Sequence, residues 1–273
     1  MSTATTAPSS AATAGVGTGG TTALRVLRSE WLKLVTVRST YWTTAVALLL
    51  AAAPAALVGL VSDPDPSAAT ASAGTAATIG LVFVALVVGV LGVLAIGGEY
   101  TTLQIRSSYA AVPKRWPALV AKGAVVAAWS FVLGLVVTFG GYGITAAIFA
   151  SRGLAAPLDG ATAGTLLGGG AYLAVVGAFG VGLGALVRVT AAGITVLSAL
   201  LFVAPIVLQL LAVLLRAEWV GTASDYLLSN AGSVLSARAG SASIELWAAM
   251  LALVCWLAAV WLPALLLTRA RDV

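Results

Sequence analysis

Gly97-Gly98-Glu99-Tyr100-Thr101-Thr102-Leu103-Gln104-Ile105-Arg106-Ser107-Ser108-Tyr109-Ala110-Ala111-Val112-Pro113-Lys114-Arg115-Trp116-Pro117 is the one compact, charged and punctuated segment between long apolar runs. Its glycine pair predicts the end of an incoming helix, because glycine tolerates positive φ and weakens a helix entropically. Thr101 and Gln104 have the spacing of a capping box and predict a new short helix. Pro113 stops that helix, since the residue before a proline is pushed out of the α region. Pro117 suits the first turn of the next helix, where its missing N–H leaves no bond unmade. The reading is helix, break, short helix, turn, helix. Arg106, Lys114, Arg115 and the nearby Lys122 make it basic, as expected of a loop at a cytoplasmic membrane surface, and the segment reads as a protein-docking element.

The composition around it is that of a polytopic membrane protein. The 273 residues are 60% hydrophobic and 8% charged, with a mean hydropathy of +1.07; soluble domains carry roughly 25% charged residues. The net charge is +5. In so apolar a chain this reflects basic loops on one side of a membrane rather than nucleic-acid binding. There is no histidine, and the one cysteine, Cys255, sits inside an apolar run. An internal disulfide is therefore excluded, and His- or Cys-based metal sites and Cys–His catalysis are disfavoured.

Runs of about twenty apolar residues predict six spans, at roughly 43–61, 79–98, 117–150, 165–187, 191–215 and 246–267. Pro54, Pro205 and Pro263 fall within or near the ends of three of them. The third is longer than a bilayer requires, so it is tilted or projects. Asp63-Pro64-Asp65-Pro66 is a turn, followed by a small-residue loop. Residues 216–245 form the longest inter-span loop, with short helices dipping into the bilayer and a partly ordered outer loop both open.

Residues 1–22 are Ser, Thr, Ala and Gly with almost nothing else, and predict a disordered low-complexity tail. From there to Tyr41, Leu24, Leu27, Trp31 and Leu34 recur at steps of three or four, with Arg25, Arg28 and Lys33 off that line and Arg38 beyond. The pattern predicts an amphipathic helix suited to the headgroup plane; a plain extension of the first span is the alternative. Residues 23–273 then form one domain.

With the N terminus inside, eleven basic residues fall on the cytoplasmic side: Arg25, Arg28, Lys33, Arg38, Arg106, Lys114, Arg115, Lys122, Arg188, Arg269 and Arg271. Arg152, Arg216 and Arg238 fall outside. Both termini are thus expected in the cytoplasm. Gly164 with Gly168, and Gly180 with Gly184, have the spacing that lets helix backbones approach closely, within the chain or between two copies.

No acidic or basic residue falls near the middle of a span, which argues against a proton- or sodium-driven carrier. No G-x-x-x-x-G-K-[ST] phosphate loop is present. No nucleophile, base and orienter can be assembled, so the chain does not read as an enzyme.

Three stretches carry a resemblance. Ser29-Glu30-Trp31-Leu32-Lys33-Leu34, with Thr36-Val37-Arg38-Ser39-Thr40-Tyr41-Trp42, resembles the start of actinobacterial permease subunits of the ABC type-2 exporter family. Gly98-Glu99-Tyr100-Thr101-Thr102, Ile105-Arg106-Ser107-Ser108 and Ala111-Val112-Pro113-Lys114-Arg115 resemble the loop after their second span, with Leu103-Gln104 where relatives often carry Gly-Thr. Tyr226-Leu227, then Ser229-Asn230-Ala231-Gly232, resembles their last outer loop. The matches bracket nearly all six spans in the right order.

The resemblance implies an all-α, six-span ABC type-2 transmembrane domain in the plasma membrane. It implies a basic elbow helix around Arg25, Arg28, Trp31, Lys33 and Arg38 on the inner leaflet. It also implies partners: a second permease subunit, identical or not, and separate ATP-binding subunits. ATP is bound there, and no cofactor is bound by this chain. Residues 99–116 would be the coupling loop, its short helix at 102–111 seated on the ATPase. Glu99, Tyr100, Thr101, Thr102, Leu103, Gln104, Ile105, Arg106, Tyr109, Lys114 and Arg115 are the expected contact residues. A non-transporting regulatory or immunity-type partner of an ATPase, and a stand-alone channel or facilitator, are the competing readings.

Overall fold

The computed structural model describes residues 23–101, 116–238 and 240–270, with side chains described for 24–98, 116–238 and 240–268. The described residues are helical and contain no strand. The helices are α1 (Ala23–Thr36), α2 (Arg38–Val61), α3 (Ala69–Ile79), α4 (Leu81–Thr101), α5 (Trp116–Ser151), α6 (Gly160–Val187) and α7 (Thr190–Ser198). A π-helical turn over Ala199–Val203 joins α7 to α8 (Ala204–Leu215). The short α9 (Glu218–Asp225) and α10 (Leu228–Leu235) precede α11 (Leu246–Ala270). Six helical stretches are long and apolar enough to cross a membrane: α2, α3 with α4, α5, α6, α7 through α8, and α11.

α6 is the central helix. Two thirds of its most apolar window, 67%, is buried, against 11% for the fifth span and 17% for the sixth. Its small residues explain this. Gly177, Gly180 and Gly184 face Gly89, Gly92, Val93 and Ile96 of α4, and a Cβ at Gly184 would lie 2.6 Å from Ile96 Cγ2. The backbones of α4 and α6 therefore approach as only glycine permits. Gly180 and Gly184 thus pack inside the chain, as does Gly168, against the Leu235 carbonyl. Gly164 has nothing within 4 Å of where its Cβ would lie. Around this contact Leu81, Val84, Val88, Leu173, Val176 and Phe179 form the main core.

Two expectations are corrected. The small-residue stretch after Asp63-Pro64-Asp65-Pro66 is no loop: it is α3, so the second span begins at Ala69 rather than near Ile79. Ala69, Ala73, Ala76 and Ala77 are fully or almost fully buried there, and Ala69, Ala73 and Ala77 pack with Tyr142, Phe149 and Leu166. Small side chains make a helix interface by letting the helices come close, not by apolar bulk. Second, Gly97-Gly98 does not end its helix, because α4 continues to Thr101; the missing side chain at Gly97 instead makes room for Thr190. Of the two readings left open for residues 216–245, short helices are present: α9 and α10, eight residues each.

The first span begins at Arg38, after a one-residue break at Val37. Its far end is capped across the fold, where Arg152 donates to the carbonyls of Leu60 at 2.5 Å and Ser62 at 2.9 Å. An arginine on the last carbonyls of a helix satisfies acceptors that have no intrahelical donor. The charges of the described fold gather at its two ends, as an apolar solvent requires.

Candidate functional site

The end of the bundle that carries α1 holds a charged junction that no short-range pattern predicts. α1 lies against the beginning of α5, with Leu27 and Leu34 entering a small core of Ile96, Leu119, Val125, Val126, Val181 and Ala264. This core joins the ends of α4, α5, α6 and α11. Glu30 lies between Leu27 and Leu34 on the same face and is buried. Its Oε2 accepts from Lys122 Nζ of α5 at 2.5 Å, and its Oε1 accepts from Lys33 Nζ at 2.6 Å. The Glu30 and Lys122 side chains are only 6% and 9% exposed.

A buried carboxylate is tolerable only when paired, and here two ammonium groups face it. Burial by itself pushes the Glu30 carboxyl up. The charges and hydrogen bonds of Lys122, and then of Lys33, outweigh that and hold it below the ordinary carboxylate range. The carboxylate form is thus the one that the α1–α5 junction is built around. Beside it Trp31 meets Trp129 of α5 edge to face, with ring centroids 5.7 Å apart.

The apolar line read from the sequence is therefore rotated. Leu27 and Leu34 face inward as expected, but Leu24 is 76% exposed and Trp31 42%. The buried stripe is Leu27, Glu30, Leu34. Arg25, Arg28, Lys33 and Arg38 are exposed, as their off-line positions implied. The sequence reading counted Lys122 only as a basic residue near the loop and gave Glu30 no role; the pairing of the two is what it missed. The signal available was weak: Glu30 is the one acidic residue in an otherwise basic helix, three residues from Lys33.

The helices on either side of the expected docking segment, α4 and α5, meet at this junction through Ile96 and Leu119. α4 ends at Thr101 and α5 begins at Trp116, and Lys122 is six residues along α5, about 9 Å of helix rise. Thr102, Leu103, Gln104, Ile105, Arg106, Tyr109, Lys114 and Arg115 lie outside the described residues, as do the capping-box helix and the low-complexity tail. Glu99, Tyr100 and Thr101 are placed as the last turn of α4 by their backbone only. At the same end the α6–α7 turn has Arg188 in the left-handed conformation, φ 60°, closing α6. Glu30 thus ties α1 to the start of α5 through Lys122.

No family model matches this chain, and no curated protein matches it in sequence.

Proposed function

We propose that the chain is the membrane-spanning permease subunit of an ATP-driven exporter of the ABC type-2 kind, working with separate ATP-binding subunits and a second permease subunit. The observation that carries this reading is the Glu30–Lys122 junction. It fixes a basic amphipathic helix to the start of the longest span, at the place where the charged 99–116 segment leaves a six-span bundle. On this reading α1 is the elbow helix, lying on the cytoplasmic leaflet with Arg25, Arg28 and Arg38 toward lipid phosphates. Residues 102–111 are the coupling helix, and both termini are cytoplasmic. The sequence has no phosphate loop, so ATP hydrolysis belongs to the partner. Closure of the two ATP-binding subunits displaces the 102–111 helices, α5 follows with α1 attached, and a path between the two permease subunits opens outward.

Gentle purification from native membranes tests this. An ATP-binding subunit is expected in fixed proportion to the chain, and is expected to be lost when 102–111 is deleted. Ile105→Pro should leave the spans folded while abolishing the coupling of ATP hydrolysis to export in proteoliposomes. Recovery of the chain alone, with transport that needs no nucleotide, would favour a channel or facilitator. A stable ATPase complex that moves nothing would favour a regulatory or immunity-type subunit.

A further inference from the structure

The end opposite α1 contains a cavity of about 510 Å³ between α3, α6, the π-helical turn, α8 and α10. That volume is within the range of about 300–1,000 Å³ typical of small-molecule sites. Its walls differ in kind. One is apolar, with Ile79, Phe202 and Ile206, of which Ile79 and Ile206 are also exposed on the outside of the bundle. The rest of the lining carries hydroxyls, among them Thr78 next to Ile79 on α3, and Ser229 and Ser233 on α10. Ser229 is more than nine-tenths buried, and its Oγ has no hydrogen-bond partner. A buried hydroxyl left unmade is costly, and calls for an explanation by something that binds it. The π-helical turn at Ala199–Val203 places Leu201 and Phe202 on the cavity wall; such turns in otherwise α-helical spans occur often at functional sites.

Charge narrows the ligand. Among the described residues Arg238 is the only charged side chain on the wall, and Asp159 Oδ2 lies 3.4 Å from its Nη2. A cationic headgroup meets Arg238, and an anionic one must displace Asp159. A neutral headgroup bearing hydroxyls meets neither obstacle and can satisfy Ser229. We infer that this cavity binds an uncharged amphiphile, its alkyl chain along Ile79, Phe202 and Ile206 and its hydroxylated headgroup against Ser229 and Ser233. The site is independent of the exporter reading and stands whether or not the chain transports anything.

The test uses the full chain in phosphatidylcholine nanodiscs with three eight-carbon probes below their micelle concentrations: octyl glucoside, octyl sulfate and octyltrimethylammonium. Thermal unfolding reports binding, because a ligand of the folded state raises the melting temperature saturably. Octyl glucoside is expected to give a saturable rise, and the charged probes none. Ser229→Ala should weaken the apparent affinity for octyl glucoside about three- to tenfold, the worth of one hydrogen bond. It should not lower the ligand-free melting temperature, since the hydroxyl has no partner to lose. Ser233→Phe, at an exposed position, should abolish the saturable rise by filling the cavity. Equal, non-saturating responses to all three probes would overturn the proposal. So would a charged probe binding more tightly than the glucoside, or both variants binding it as the parent does.

Discussion

Truncating Glu30 removes the carboxylate that Lys122 faces inside the α1–α5 junction. Breaking a buried pair on one side costs roughly 3–5 kcal/mol, because the remaining charge keeps its desolvation penalty. α1 has an easier exit, which is to leave. Glu30→Ala should therefore release α1 and expose the Val37 break to protease, while the melting of the spans changes little. Glu30→Leu with Lys122→Met should keep α1 docked, since an apolar pair of similar volume often replaces a buried ion pair without loss. If the double variant is cleaved as fast as Glu30→Ala, the junction is not governed by charge. The pH dependence has a definite sign. The folded-state carboxyl lies below its ordinary value of 4.5, so the junction has its full stability above that value and loses it progressively as the pH falls further. Protease release of α1 should rise below about pH 4.5 in the parent chain, and the acid step should be absent in Glu30→Gln.

Among the elements, α4 and α6 depend on each other through glycines. Gly180→Leu should be strongly destabilising, because its side chain would run into the Gly89 backbone; overpacking costs about 1–3 kcal/mol or more where backbone must move. Gly164→Leu, with open space around it, should be close to neutral, and thermal unfolding in detergent separates the two. The pair also shows where the sequence was readable and where it was not. Gly164–Gly168 and Gly180–Gly184 have the same spacing, yet Gly164 packs against nothing, because spacing says which residues share a face and not what lies opposite. The apolar runs of α2, α5, α6 and the fifth and sixth spans were legible because their bulk and lack of charge leave no other solvent for them. α3 was not, because its alanines, threonines and one serine are small side chains that become buried through close approach rather than apolar bulk. The Glu30–Lys122 contact joins residues 92 apart in the chain, beyond the reach of any local pattern. The expected docking residues from Thr102 to Arg115 were legible as a charged, punctuated segment, and their local geometry lies outside the described residues.

For the whole molecule, the distribution of basic residues predicts a topology that can be measured. In a Cys255→Ser background, single cysteines at Leu24 and Ser67 should react with a membrane-impermeant maleimide from opposite sides of sealed vesicles, Leu24 from the cytoplasmic side. The same side for both would contradict an odd number of crossings between them. The longest helix adds a mechanical consequence. α5 runs 36 residues, about 54 Å, against a hydrocarbon core of about 30 Å. Apart from Pro117 in its first turn it contains no proline. α2 and α11 each contain one, the second span changes helix at Gly80, and the fifth is interrupted by its π turn. α5 is gripped near one end by Glu30 and grips α2 near the other through Arg152. A beam of that length, swung through about 10°, moves one tip about 9 Å relative to the other. Were α5 to swing as one rod, Ser151 would be carried along with Trp116, and the end of α2 held by Arg152 with it.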